Sequence, residues 1–214
     1  MIALRALAAL LSYPSPDLRS ALPEIAEVLL STPRIPQADR NALAALIKEI
    51  ADSDQLEAEE RYVALFDRGR STSLNLFEHL HGDARDRGQA MVELKQMYER
   101  AGFMLTSPEL PDHLPVLLEY LSERDAAEVK DVLGDCAHIV RSIGEALLKR
   151  QSRYATVPQA ILRIAGEPPL DPVRAARRPK ERLDPDSDWA ERPAFGPDAA
   201  AIAADPPFRS GSRS

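Results

Sequence analysis

His79 and His81 flank Leu80 in the run Phe77-Glu-His-Leu-His-Gly82, with Asp83 and Asp86 close behind. Two imidazoles and two carboxylates in such quick succession could ligate a metal. Zinc needs three or four ligands converging at about 2.0–2.3 Å, and the chain has neither a His-Glu-x-x-His helix nor a cysteine pair to fix that geometry. The histidines are therefore expected to hydrogen-bond or to line a polar groove. A second pair, Asp112-His113, stands where a helix begins; the helix dipole there favours the carboxylate and lowers the pKa of a nearby imidazole. An Asp-His pair can serve as a general base, but it needs a nucleophile or a substrate cleft to act on. Ser71 and Ser73 lack a Gly-x-Ser-x-Gly elbow, and no glycine-rich phosphate loop occurs. The expectation is a protein without a catalytic site, metal or cofactor. A helical metal-dependent hydrolase using His79, His81, Asp83 and His113 is the enzymatic alternative.

These residues must be positioned by helices. Apolar residues recur at helical spacing up to about residue 165 and nothing reads as a strand, so the expected class is all-α, a single helical domain over 1–165. The first stripe is Leu4, Leu7, Ala8 and Leu11, a core helix rather than a signal peptide, since it has no basic leader and carries Arg5 in its middle. Leu18, Leu22, Ile25 and Leu29 mark a second helix entered through Ser15-Pro16-Asp17, and Leu43, Leu46, Ile47 and Ile50 a third. A fourth ends in Tyr62, Val63 and Phe66. Asp83 is the expected cap of a fifth, with the stripe Ala90, Met91, Leu94, Tyr98 and Ala101 stopped by Gly102. Asp112 is the expected cap of the next, over Leu114, Leu117, Leu118 and Leu121, with Pro115 tolerated in its first turn. The longest pattern, Val129 to Leu147, carries Cys136 as a small apolar residue, and Gly134 and Gly144 as possible sites of close packing. A last helix falls around Val157 to Ile164.

Half of the 18 prolines lie beyond Gly166, so residues 166–214 read as a disordered tail, with Trp189 and Phe195 leaving a short docking motif as the alternative. Hydrophobic residues at 44% can form a core, and a net charge of -7 disfavours nucleic acid and anionic lipid as partners. No apolar run approaches the roughly 20 residues of a membrane span, and a lone cysteine fits a reducing compartment, so a soluble cytoplasmic protein is expected.

Two segments stand out. Tyr62 to Gly88 alternates charges around Leu74, Leu76, Phe77 and Leu80 and holds the tetrads Asp67-Arg-Gly-Arg70 and Asp86-Arg-Gly-Gln89; the other is Glu109 to Leu121. A solvated loop needs few such apolar residues, so part of the first segment must pack or bind; on periodicity alone, Asp–Arg pairs bracing two helix ends explain it equally well. Tyr62-Val-Ala-Leu-Phe66 and Pro111-Asp-His113 resemble motifs of the redox-enzyme maturation chaperones of the twin-arginine system. Phe77 to Gly82 and Asp86 to Gln89 resemble the nitrate-reductase branch of that family, the molybdenum-cofactor assembly chaperones also called the delta subunit. The likeness extends from the first helix to about residue 165.

The resemblance implies a helical chaperone that binds the N-terminal segment of the catalytic alpha subunit, keeps it competent for molybdenum-cofactor insertion and delays its docking on the membrane subunit. It implies help with iron–sulfur and haem maturation, and molybdenum cofactor biosynthesis proteins as further partners. A chaperone for another molybdoenzyme, such as a sulfoxide or amine-oxide reductase, is the nearest variant. An apolar groove rimmed by carboxylates would suit an amphipathic, basic client helix. Tyr62, Phe66, Asp67, Arg68, Phe77, His79, His81, Asp112, His113, Glu119 and Tyr120 are the candidate groove or hinge residues.

Overall fold

A computed structural model describes residues 1–80, 84–106 and 108–177. The expected stripes all form helices: α1 Ile2–Leu10, α2 Pro16–Leu30, α3 Gln37–Asp52, α4 Gln55–Phe66, α5 Ala84–Arg100, α6 Leu114–Ser122, α7 Ala126–Lys149 and α8 Thr156–Ala165. Two single-turn 3₁₀ helices, Arg70–Thr72 and Leu76–His79, lie between α4 and α5. Among the described residues the only β pairing is one antiparallel bridge, Asn75 with His113. No described helix is long and apolar enough to cross a membrane.

The core is built on α1 and α6, which pack against each other. Each is apolar on nearly every face, and a helix of that kind has to be surrounded. Leu4, Leu7, Leu10, Leu114, Leu118 and Leu121 are fully buried, and of α6 only Glu119 reaches solvent. Around this pair, α2 packs on α3 and α7 packs on α8. Starts and stops follow local chemistry: the Ser15 hydroxyl accepts from the Leu18 N–H, and the Asp125 carboxylate from the Ala127 and Glu128 N–H groups. Gly102 (φ 73°) and Gly166 (φ 81°) take the left-handed conformation that ends α5 and α8. Asp83, expected to cap α5, lies outside the described residues. The α5 stripe itself is only half-buried, apart from Tyr98.

Arg19 fixes the entry to α4 by donating to the Ala51 and Ser53 carbonyls at 3.0 and 2.6 Å. At the other end of α4 the Tyr62 hydroxyl donates to the Leu11 carbonyl at 2.8 Å, which ties α4 to the end of α1. The chain does not leave the helical body at Gly166. Arg141 donates to the Pro168 and Pro169 carbonyls, Leu170 is buried, and a short helix α9, Pro172–Arg177, packs on α7. Residues 178–214, most of the segment expected to be disordered, lie outside the described residues.

The two glycines of α7 divide. A Cβ on Gly144 would come within 2.7 Å of Leu170 Cδ1 and 3.1 Å of Pro158 Cβ, so the site is closely packed and an added methyl must displace Leu170 and press on Pro158. Around Gly134 a Cβ would meet nothing within 4 Å, so the close-packing reading is corrected at that position: the site is open. Gly134→Ala should therefore stabilise the protein by up to about 1 kcal/mol through helix propensity. Gly144→Ala should destabilise it by about 1–3 kcal/mol through overpacking. Urea unfolding of the two variants checks the opposite signs.

Candidate functional site

The two segments singled out in the sequence meet in space, joined by the backbone. The Leu76 N–H donates to the Asp112 carbonyl at 3.0 Å and the Leu114 N–H to the Leu74 carbonyl at 2.8 Å, one on each side of the Asn75–His113 bridge. Asp112 is fully buried, and its Oδ2 accepts the Phe77 N–H at 2.8 Å. Asp112 therefore does not cap α6, contrary to the sequence expectation. The N-cap of α6 is His113, which makes no side-chain capping bond. The 3₁₀ turn at Leu76–His79 outbids the α6 terminus for the carboxylate because its first N–H groups are orphaned too and lie within reach. Burial raises the Asp112 pKa above its ordinary value, while the Phe77 N–H and the Arg87 charge pull it back.

Each residue of Pro111-Asp112-His113 thus has its own contact. The Pro111 carbonyl accepts from the Tyr98 hydroxyl at 2.8 Å, which anchors the end of α5. Asp112 holds the 3₁₀ turn, and the His113 side chain faces a cleft of about 370 Å³. Tyr62 and Phe66 form part of its lining, packed at 4.9 Å between ring centroids. Both are buried, 6% exposed each, so they shape the cleft from within the core. Tyr13 stands edge-on to Tyr62 at 5.7 Å and is 46% exposed. Ser73, Leu74 and Asn75 line it from the bridged loop, Pro115 and Val116 from α6, and Asp67, Glu109 and Glu119 supply carboxylates. Among the described residues lining the cleft there is no lysine or arginine. Burial holds the Tyr62 phenol well above the usual tyrosine range, so it stays protonated and keeps its bond to the Leu11 carbonyl.

His113 is mostly buried, and burial lowers its pKa below the ordinary 6.5, while Glu109, Asp112 and Asp67 oppose that shift. Its Nδ1 lies 3.8 Å from Glu109 Oε2, an ion pair only when the ring is protonated. His79 stands apart from the cleft: its Nε2 is 2.8 Å from the Ser73 carbonyl, which can only accept, so that nitrogen carries the proton.

Of the expected site residues, Tyr62, Phe66, Asp67, His113 and Glu119 therefore line one cleft, while Asp112 and His79 brace its loop. Phe77 packs on the core, Arg68 is exposed outside the lining, and His81 lies outside the described residues. Tyr120 sits in a separate aromatic cluster with Tyr98 and Phe103, at 4.8 and 5.8 Å. Sequence reasoning missed Tyr13 and Glu109. The signal for Glu109 was its place four residues before His113; for Tyr13 it was an exposed aromatic directly after a buried helix. Among the described residues no three His, Cys, Asp or Glu side chains gather as metal ligands. Cys136 is half-buried, and burial pushes its thiol up to about 11, away from nucleophilic chemistry.

Asp112→Ala removes the acceptor of a buried N–H and should cost about 1–3 kcal/mol of stability in chemical denaturation. Asp112→Asn keeps an acceptor and sheds a buried charge, so its loss should be smaller. Equal losses would contradict the role assigned to the carboxylate.

The chain is 43% identical over 165 residues to an Escherichia coli K12 protein named nitrate reductase molybdenum cofactor assembly chaperone NarJ, covering 77% of this chain and 70% of that one. It is 40% identical over 128 residues to a probable chaperone of the same description from that organism, NarW, covering 60% and 55%. It is 30% identical over 161 residues to the probable NarJ of Bacillus subtilis, covering 75% and 86%. Residues 32–157 match the nitrate reductase delta subunit family, and the chain belongs to that family.

Proposed function

We propose that this chain is an assembly chaperone for nitrate reductase, which binds the N-terminal segment of the apo alpha subunit in the acidic cleft and so permits molybdenum cofactor insertion before membrane docking. The relatives' names support the chaperone role. The observation that carries the binding mode is the cleft itself: aromatic walls from Tyr13, Tyr62 and Phe66, three carboxylates, and no cation among its described lining residues. An amphipathic helix with apolar anchors and basic flanks is the complementary ligand. Apolar contact supplies affinity and the carboxylates set orientation and rate of capture. A client segment that orders on binding loses several kcal/mol of the gross interaction, which favours later release. Among the described residues every one lining the cleft falls between Ser12 and Glu119, so the proposed role is assigned to the helical body. The proposed place of action is the cytoplasm, where a lone thiol stays reduced.

Calorimetric titration with a peptide of the alpha subunit's first residues should show saturable binding. Asp67→Asn, Glu109→Gln and Glu119→Gln together should weaken it by about ten- to a hundredfold and flatten its salt dependence. No binding between pH 6 and 8 would remove the proposal. His113 adds a pH dependence. Because burial holds its pKa below the ordinary value, it is neutral at pH 7 and becomes a cation only as the pH falls through that lowered pKa. A new positive charge beside Glu109 and Asp67 opposes a basic client, so affinity should fall with acidification in that window. The same protonation destabilises the fold, since the unfolded chain takes up the proton first. His113→Gln should flatten both profiles, and an unchanged affinity profile would exclude this role.

A further inference from the structure

α4 presents two adjacent rows of side chains. Tyr62 and Phe66, one turn apart, face the acidic cleft; Arg61 and Leu65, also one turn apart, line a second cleft of about 700 Å³. The rest of that lining is Glu49, Leu148, Arg150, Gln151, Ser152 and Arg153. Three guanidiniums against Glu49 in the lining and Glu57, which pairs with Arg61, leave one excess positive charge here in a chain of net charge -7.

Arg150 and Arg153 are each held from one side, whereas Arg61 is held from both, its Nη2 lying 2.8 Å from Glu57 Oε1. Glu49 bridges two of them, with Oε1 2.9 Å from Arg61 Nη1 and Oε2 2.8 Å from Arg153 Nε. Arg150 donates from Nη1 to the Ala64 carbonyl at 3.3 Å and lies flat against Gly69, where a Cβ would come within 2.6 Å of its Nη2. Glycine in the tetrad Asp67-Arg-Gly-Arg70 is what admits that approach. Gln151 between them has φ 54°, a left-handed conformation disfavoured in a side-chain-bearing residue. That turn ends α7 sharply and brings Arg150 and Arg153 to the same opening. A guanidinium carries five donors in a fixed fork, so one anchored edge leaves others for a ligand.

We propose that this second cleft binds a small phosphorylated ligand, with Arg150 and Arg153 as its phosphate contacts and Glu49, braced by Arg61, as the residue that positions Arg153. Two guanidiniums with donors to spare, Arg150 and Arg153, offer a phosphate group more hydrogen bonds than a single carboxylate can accept. Paired guanidiniums meet phosphate oxygens bidentately. The volume lies within the range of small-molecule sites, and Leu65 and Leu148 give apolar surface to an organic moiety. The site is independent of client binding in the acidic cleft.

The test is calorimetric titration of the full chain with inorganic pyrophosphate at fixed ionic strength, and with acetate as a monoanion. One saturable pyrophosphate site is expected, weakened at least about tenfold in Arg150→Gln/Arg153→Gln, with acetate weaker than pyrophosphate. Arg153→Gln alone, which loses only the contact to Glu49 at the surface, should show a clear part of that loss while its thermal unfolding stays close to that of the parent, so the proposal remains testable if the double variant fails to fold. No saturable binding up to about 10 mM, equal affinity in Arg153→Gln, or equal affinity for acetate would overturn the proposal.

Discussion

A single buried carboxylate sets the geometry on which the rest of the molecule depends. Asp112 is removed from water, and a buried charge is tolerated only where hydrogen bonds and neighbouring charge offset its desolvation. The Phe77 N–H supplies the bond and Arg87 part of the charge. Through its Oδ2, Asp112 pins a turn that follows α4 in sequence to the segment that precedes α6. Two backbone bonds across the Asn75–His113 bridge complete the clasp, and the excursion carrying α5 leaves and returns through it. Without that clasp, Ser73 to Asn75 would have no fixed relation to Glu109 and His113, and the cleft between them would have no wall.

α4 then distributes chemistry to two sides. One row of its side chains is aromatic and faces three carboxylates; the neighbouring row begins with Arg61 and faces the arginines at the end of α7. Opposite local charge on adjacent rows of one helix would let the two proposed ligands bind without competing. The arrangement also explains why Tyr62 and Phe66 are buried although they line a cleft. They belong to a cluster with Tyr154, whose ring lies 5.2 Å from that of Phe66, so the core and the binding surface share side chains. A change at either position alters both folding and binding, which is why the charge substitutions are the cleaner probes of recognition.

Much of this was legible in the sequence. Helical periodicity located every helix from α1 to α8, because burying one stripe is a local demand that spacing records directly. Gly102 could be read as a stop for the same reason. Asp112 could not be read, since its partner lies thirty-five residues upstream and nothing in the spacing separates a helix cap from a tertiary acceptor. Tyr120 was misplaced because an aromatic beside Glu119 could face either way, and only the packing of Tyr98 and Phe103 shows which. Leu170 was passed over because a leucine among prolines resembles tail composition; its place against Gly144 depends on a contact that no pattern announces. The arginine cleft joins α3, α4 and the end of α7, and no linear motif spans them.

The most direct test of the account is hydrogen–deuterium exchange of the full chain with and without the alpha-subunit N-terminal peptide. The account predicts added protection at the end of α4, at Ser73 to Phe77 and from Glu109 through the first turns of α6, with little change at the α7–α8 corner around Arg150 to Arg153. Protection concentrated at that corner instead, or no change at the bridged loop on peptide binding, would contradict it.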